Sequence, residues 1–100
     1  MLVYNVTMKV DKEVEADWLV WMKSCHIPDV LSTGQFIESR MCRLIDETDD
    51  KDPTYVIQYH CENIENFKRY IAEFAPALRE DYDTRFKDKL VAFRTLMEVV

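Results

Sequence analysis

The spacing of apolar residues changes in a fixed order along this chain: a period of two, then about 3.6, then two twice over, then about 3.6, then two. Leu2, Tyr4, Val6, Met8 and Val10 share one face of a strand, with Val3, Asn5, Thr7 and Lys9 on the other. Asp11 is placed to cap a helix over residues 12–24, where Val14, Trp18, Trp21, Met22 and Cys25 form one apolar stripe. Pro28 would cost that helix a hydrogen bond, so His26-Ile27-Pro28 reads as a break and restart. A short turn over residues 29–33 then ends at Gly34, the only glycine, whose freedom at positive φ suits a helix C-terminus.

Residues 36–45 form a second strand, with Ile37, Met41 and Ile45 on one face and Phe36, Cys42 and Leu44 on the other. A strand apolar on both faces is expected to be covered on both. The acidic run 46–53 is a hairpin loop. Asp46, Thr48, Asp50 and Asp52 alternate as in a calcium loop, but Lys51 stands where that loop needs glycine and Ile57 where it needs glutamate, which leaves a solvated tip. Tyr55, Ile57, Tyr59 and Cys61 alternate with Val56, Gln58 and His60 as a third strand. Ile64, Phe67, Ile71, Phe74, Ala75 and Leu78 mark a second helix that Pro76 kinks or restarts, with a polar continuation through Tyr82 and Phe86. Residues 90–100 close the pattern as a strand, with Val91, Phe93, Thr95, Met97 and Val99 expected toward the helices.

The order β-α-β-β-α-β with right-handed crossovers predicts one α+β domain over residues 1–100: a ferredoxin-like, four-stranded antiparallel sheet with both helices on one face. The bare face would carry Val3, Asn5, Val56, Leu96 and Leu44 among Gln58 and Arg94, too apolar to leave in water. A second copy laid over it would make a homodimer of the dimeric α/β-barrel kind.

The charge of −6 gives a polyanion nothing to bind, so nucleic acid is not an expected partner. No apolar run approaches the ~20 residues of a membrane span, and residues 1–10 lack a basic-then-apolar leader, so the expected location is the cytoplasm. Cys25, Cys42 and Cys61 are odd in number and far apart, as reduced thiols would be.

His26 is the sharpest chemical candidate. It either caps backbone freed by Pro28 or serves as a base in a cleft between helix and sheet, with Tyr59 as its polar neighbour. Trp18, Met22, Tyr59 and Phe93 are expected to line that cavity, with His26 or Arg94 as polar anchor. Arg94 and Glu98 share a strand face, where they form an ion pair, fix a dimer register or bind an anion. Neither Cys25-His26 nor His60-Cys61 places two ligands on one ion, because adjacent side chains diverge on helix and strand alike; no metal and no cofactor is expected.

Tyr4-Asn5-Val6-Thr7, Trp18-Leu19-x-Trp21-Met22, His26-Ile27-Pro28-x-Val30-Leu31-x-Thr33-Gly34-x-Phe36 and the closing Val91-Ala92-Phe93-Arg94-Thr95 resemble a bacterial family described only as a domain of unknown function, DUF4286. The resemblance implies the ferredoxin-like, dimeric α/β-barrel architecture and supplies no catalytic residues. It departs at Phe74, where members often carry His or Asp ahead of the Ala75-Pro76 pair. Two functional classes follow: a module binding a small, largely apolar or anionic molecule, or a cofactor-independent monooxygenase, isomerase or haem-degrading enzyme, the latter by analogy of fold. Asn5 matches the strand-one asparagine of haem degraders, whereas Trp18 and His26 lie on the first helix and its break.

Overall fold

The computed structural model describes residues 1–45 and 51–100. Strand β1 (Leu2–Val10) lies inside the sheet because its alternation buries Tyr4, Val6, Met8 and Val10 on one face. It pairs antiparallel with β3 (Thr54–Cys61) on one side and β4 (Leu90–Glu98) on the other, and β2 (Glu38–Arg43) pairs outside β3. The result is a four-stranded antiparallel sheet in the order β2-β3-β1-β4, with two helical arms over its buried face. Residues 46–50, with most of the acidic hairpin and its calcium-like spacing, lie outside the described residues.

The first arm starts at Asp11, whose carboxylate accepts the Glu13 N–H at 2.8 Å. It runs through a 3₁₀ turn, α1 (Glu15–Trp21), a π turn (Met22–His26) and α2 (Ile27–Ser32). The break expected at His26-Ile27-Pro28 is therefore absent. The backbone stays helical, with His26 at φ −66° and ψ −52°, and the Ile27 N–H reaches back five residues to the Met22 carbonyl. A widened turn relieves the clash of the Pro28 ring with the preceding turn, which a regular helix resolves only by breaking. Gly34, at φ +79°, ends the arm as expected, its N–H donating to the Leu31 carbonyl at 3.1 Å.

The second arm repeats the device. After the Asn63 cap come α3 (Ile64–Arg69), a π turn (Tyr70–Phe74) and α4 (Ala75–Arg85), and the Ala75 N–H reaches back to the Tyr70 carbonyl. Both π turns thus end two residues ahead of a proline, Pro28 and Pro76.

Two strand expectations are corrected. Strand β2 is an edge rather than a doubly covered strand: Phe36 is buried just before it, but Ile37 and Leu44 flank it exposed. Strand β4 faces the other way. Arg94, Ala92 and Leu90 stand opposite Val6, Met8 and Val10, so they share the helix-covered face, and Val91, Phe93, Thr95 and Met97 lie on the open one. Backbone bonds from Asp11 to the Lys89 carbonyl and from Val99 to the Met1 carbonyl hold both ends of this register at 2.8 and 2.9 Å.

Candidate functional site

A cavity lies between the sheet and the two helical arms. The sheet supplies Tyr4, Val6, Met8, Ile57, Tyr59 and Arg94, the first π turn Met22 and His26, and the second arm Tyr70, Leu78, Arg79 and Tyr82. Met22 and His26 open and close one π turn and Tyr70 opens the other, so the widened turns aim three of the lining side chains. The cavity holds about 340 Å³ free of atoms, counting its open mouth, and about 20 Å³ in which the centre of a water molecule fits. One water needs roughly 10–15 Å³ on that measure, so the present shape admits little more than solvent and a larger guest must push side chains aside.

His26 is 7% exposed and lies flat against Trp21, ring centroids 5.0 Å apart, with its edge on Tyr82 at 5.6 Å. Its side chain caps no backbone, and its buried Nδ1 has no hydrogen-bond partner among the described residues. Burial pulls its pKa below the ordinary histidine range; Arg94 adds to this and Asp29 and Asp81 oppose it. The imidazole is therefore neutral near pH 7, free to accept a proton.

Burial keeps two of the phenols, Tyr59 and Tyr70, neutral. Burial, then Tyr70 and Tyr4, push the Tyr59 hydroxyl far above the usual tyrosine range. Tyr70 is pushed up to about 12 by burial and Tyr4, against the opposing pull of Arg79 and Arg94. Both guanidiniums thus act on one hydroxyl. Arg79 Nη2 donates to the Tyr4 hydroxyl at 3.1 Å, and Arg94 Nη2 donates to the Tyr82 hydroxyl. Among the described residues, no carboxylate lies within ion-pair distance of either arginine, and the lining holds no Asp, Glu or Cys.

Of the residues singled out in the sequence, Met22, His26, Tyr59 and Arg94 come together here. Trp18 and Phe93 do not. Trp18 is fully buried one helical turn before Met22, against Tyr55 at 5.0 Å, where the Tyr55 hydroxyl donates to Glu15 Oε2 at 2.6 Å. Phe93 is 67% exposed on the opposite side of the sheet, because β4 is turned by one residue from the expected register. Arg94 moves to the cavity for the same reason, away from the face it was expected to share with Asn5. The site also contains Tyr4, Tyr70, Arg79 and Tyr82, which sequence reasoning did not assign to it. The available signal was the Leu78, Arg79, Tyr82 spacing, which sets a cation and a phenol beside the apolar stripe of the second helix.

Because the folded state holds His26 at a lowered pKa, the unfolded chain binds the proton more readily. Stability is then fully present above the unfolded value of about 6.5 and falls as pH drops from there toward the folded pKa. Urea midpoints measured between pH 7.5 and pH 5 are expected to fall for the wild type and to fall less steeply for His26→Gln. Equal slopes would mean that the ring is solvated rather than buried.

The fold is that of a ferredoxin-like α+β domain. The family model for the domain of unknown function DUF4286 matches residues 1–100, and the chain belongs to that family. No curated protein matches it in sequence. Among solved structures it resembles a dimeric ferredoxin-like protein from an uncultured marine organism (12% identity, 99% of this chain and 94% of that one, TM-score 0.71). It also resembles SnoaB, a cofactor-independent oxygenase from Streptomyces nogalater (16% identity, 99% and 92%, TM-score 0.65). A third is a variant of MhuD with two manganese protoporphyrin IX molecules bound per active site (18% identity, 100% and 95%, TM-score 0.70). At these identities the likeness concerns the fold. Among the described residues, no helix is long and apolar enough to cross a membrane.

Proposed function

We propose that the chain binds a small, largely apolar or anionic molecule in the cavity between helices and sheet, and that it works as a homodimer closed through the open sheet face in the cytoplasm. The observation that carries this is the pairing of two arginines, bound only to phenols among the described residues, with a cavity floored by Val6, Met8, Ile57 and Met22. Arg94 is exposed, but Arg79 is half-buried, and a half-buried guanidinium without a counter-charge is costly; an anionic guest would offset that cost. The dimeric ferredoxin-like neighbour supports the assembly.

A second reading is supported by His26. A neutral imidazole with an unpaired Nδ1 beside an apolar cavity could act as the base of a cofactor-independent reaction, as the oxygenase among the structural neighbours suggests. A porphyrin guest has less support: any guest larger than solvent must push side chains aside, and a macrocycle of dozens of atoms would displace the most.

The test is a thermal-shift screen of small apolar acids and their neutral analogues against the wild type and Leu78→Trp, which fills the cavity. A ligand at a hundred times its Kd adds about 2.7 kcal/mol, worth roughly 10–20 °C in a domain of this size. At least one acid is expected to raise the wild-type Tm and not that of the variant. Equal shifts in both, or none in either, would refute a cavity ligand of this class. Circular dichroism establishes that the variant is folded, and Met22→Trp serves if it is not.

A further inference from the structure

We infer that the ligand is a planar aromatic or conjugated carboxylic acid, its carboxylate taken by Arg79 and Arg94 and its ring laid among the tyrosines. This rests on the cavity reading above and narrows it.

The charge distribution selects an acid. The chain carries −6 overall, which repels anions at long range, yet among the described residues this cavity is lined by two guanidiniums and no carboxylate. A cationic guest would meet the repulsion of both guanidiniums at close range. Each guanidinium is oriented by one hydrogen bond to a phenol, Tyr4 or Tyr82, and a phenol leaves the charge and most of the five N–H donors available.

The donors select a carboxylate over a phosphate. Phosphates are usually cradled by backbone N–H groups at glycine-rich turns, but the only glycine, Gly34, ends the first arm and is absent from this lining. Guanidiniums pair with carboxylate and phosphate alike through two parallel bonds, so it is the missing backbone cradle and the small room that favour the flat carboxylate. The rings select the body of the guest. Tyr59, Tyr70 and Tyr4 already meet one another or Phe36 at centroid distances of 4.8 to 6.2 Å, the range at which a further ring would stack or meet them edge-on.

The test is calorimetric titration of the full chain with 2-naphthoate, 2-naphthamide and 2-naphthyl phosphate, in the wild type, Arg79→Met, Arg94→Met and Leu78→Trp, each first shown to be folded. Naphthoate is expected to bind the wild type at least roughly tenfold more tightly than the amide or the phosphate. It should also lose about tenfold or more in each arginine variant. Amide binding equal to naphthoate and abolished by Leu78→Trp would overturn the acid while leaving the cavity reading intact. A phosphate preference, or no heat with any of the three probes, would likewise overturn this inference alone, the thermal-shift screen deciding the cavity. Naphthoate binding untouched by Leu78→Trp would place the guest elsewhere and overturn both.

Discussion

Replacing Trp18 by alanine is expected to cost about 3–5 kcal/mol, a large part of the 5–15 kcal/mol typical of a whole domain, and to lower Tm by tens of degrees. The side chain is 0% exposed and packs on Tyr55, whose hydroxyl is tied to Glu15 from the start of α1. Its removal opens a hole between the first helix and β3. The indole Nε1 is buried without a partner among the described residues, so part of the Trp18 packing gain is already offset by an unsatisfied donor. Trp18→Phe should therefore be much milder than Trp18→Ala, since it keeps a ring and removes that donor. Urea unfolding of the three proteins checks both points. A loss under about 1 kcal/mol in the alanine variant would mean that Trp18 is not core, and a phenylalanine variant as damaged as the alanine one would mean that Nε1 is bonded after all.

The same residue shows where reading the sequence succeeds and where it stops. Trp18 and Met22, four apart, share one apolar stripe in sequence and in structure, but stripe membership says nothing of position along the axis. Four residues rise about 6 Å along the axis, enough to put Trp18 over Tyr55 while Met22 lies over the cavity near Tyr59. Strands β1 and β3 were legible because only one face of each is apolar throughout. Strand β4 was not, since Val91, Phe93 and Met97 alternate with Leu90, Ala92 and Leu96, two faces of similar polarity. Pairing with β1 decides between them, and no count along one strand contains that information. Exchanging those faces carries Arg94 to the cavity and Phe93 away from it, so one ambiguity accounts for two of the site residues. The prolines were legible as disruptions, but not as π turns. Whether a helix breaks or widens depends on what its next residues bury, here His26 and Tyr70.

The exchanged face also sharpens the proposed dimer, for which Phe93→Asp is expected to raise the dissociation constant by at least roughly a hundredfold. On the open side of the sheet, cross-strand rows run Cys42, Val56, Thr7, Phe93 and Glu38, His60, Val3, Met97. Between them lies the polar row Arg40, Gln58, Asn5, Thr95. Gln58 donates to Asn5 Oδ1 at 3.3 Å and Asn5 to Thr7 Oγ1 at 3.1 Å, which orders the middle of the face and leaves Phe93 and Val91 standing proud at 67% and 56% exposure. Burying a phenylalanine side chain is worth about 1.5–3 kcal/mol, and in a two-fold assembly each substitution counts twice, so the loss is about 3–6 kcal/mol before the cost of a buried aspartate. Because Phe93 points away from the core, the monomer should lose little intrinsic stability. That separates this variant from Trp18→Ala, which damages the fold itself. Light scattering and sedimentation over a dilution series are expected to find a dimer for the wild type and a folded ~12 kDa monomer for Phe93→Asp. A wild-type chain that is monomeric at micromolar concentration, or a variant that dimerises as tightly as the parent, would remove this face as the contact between copies.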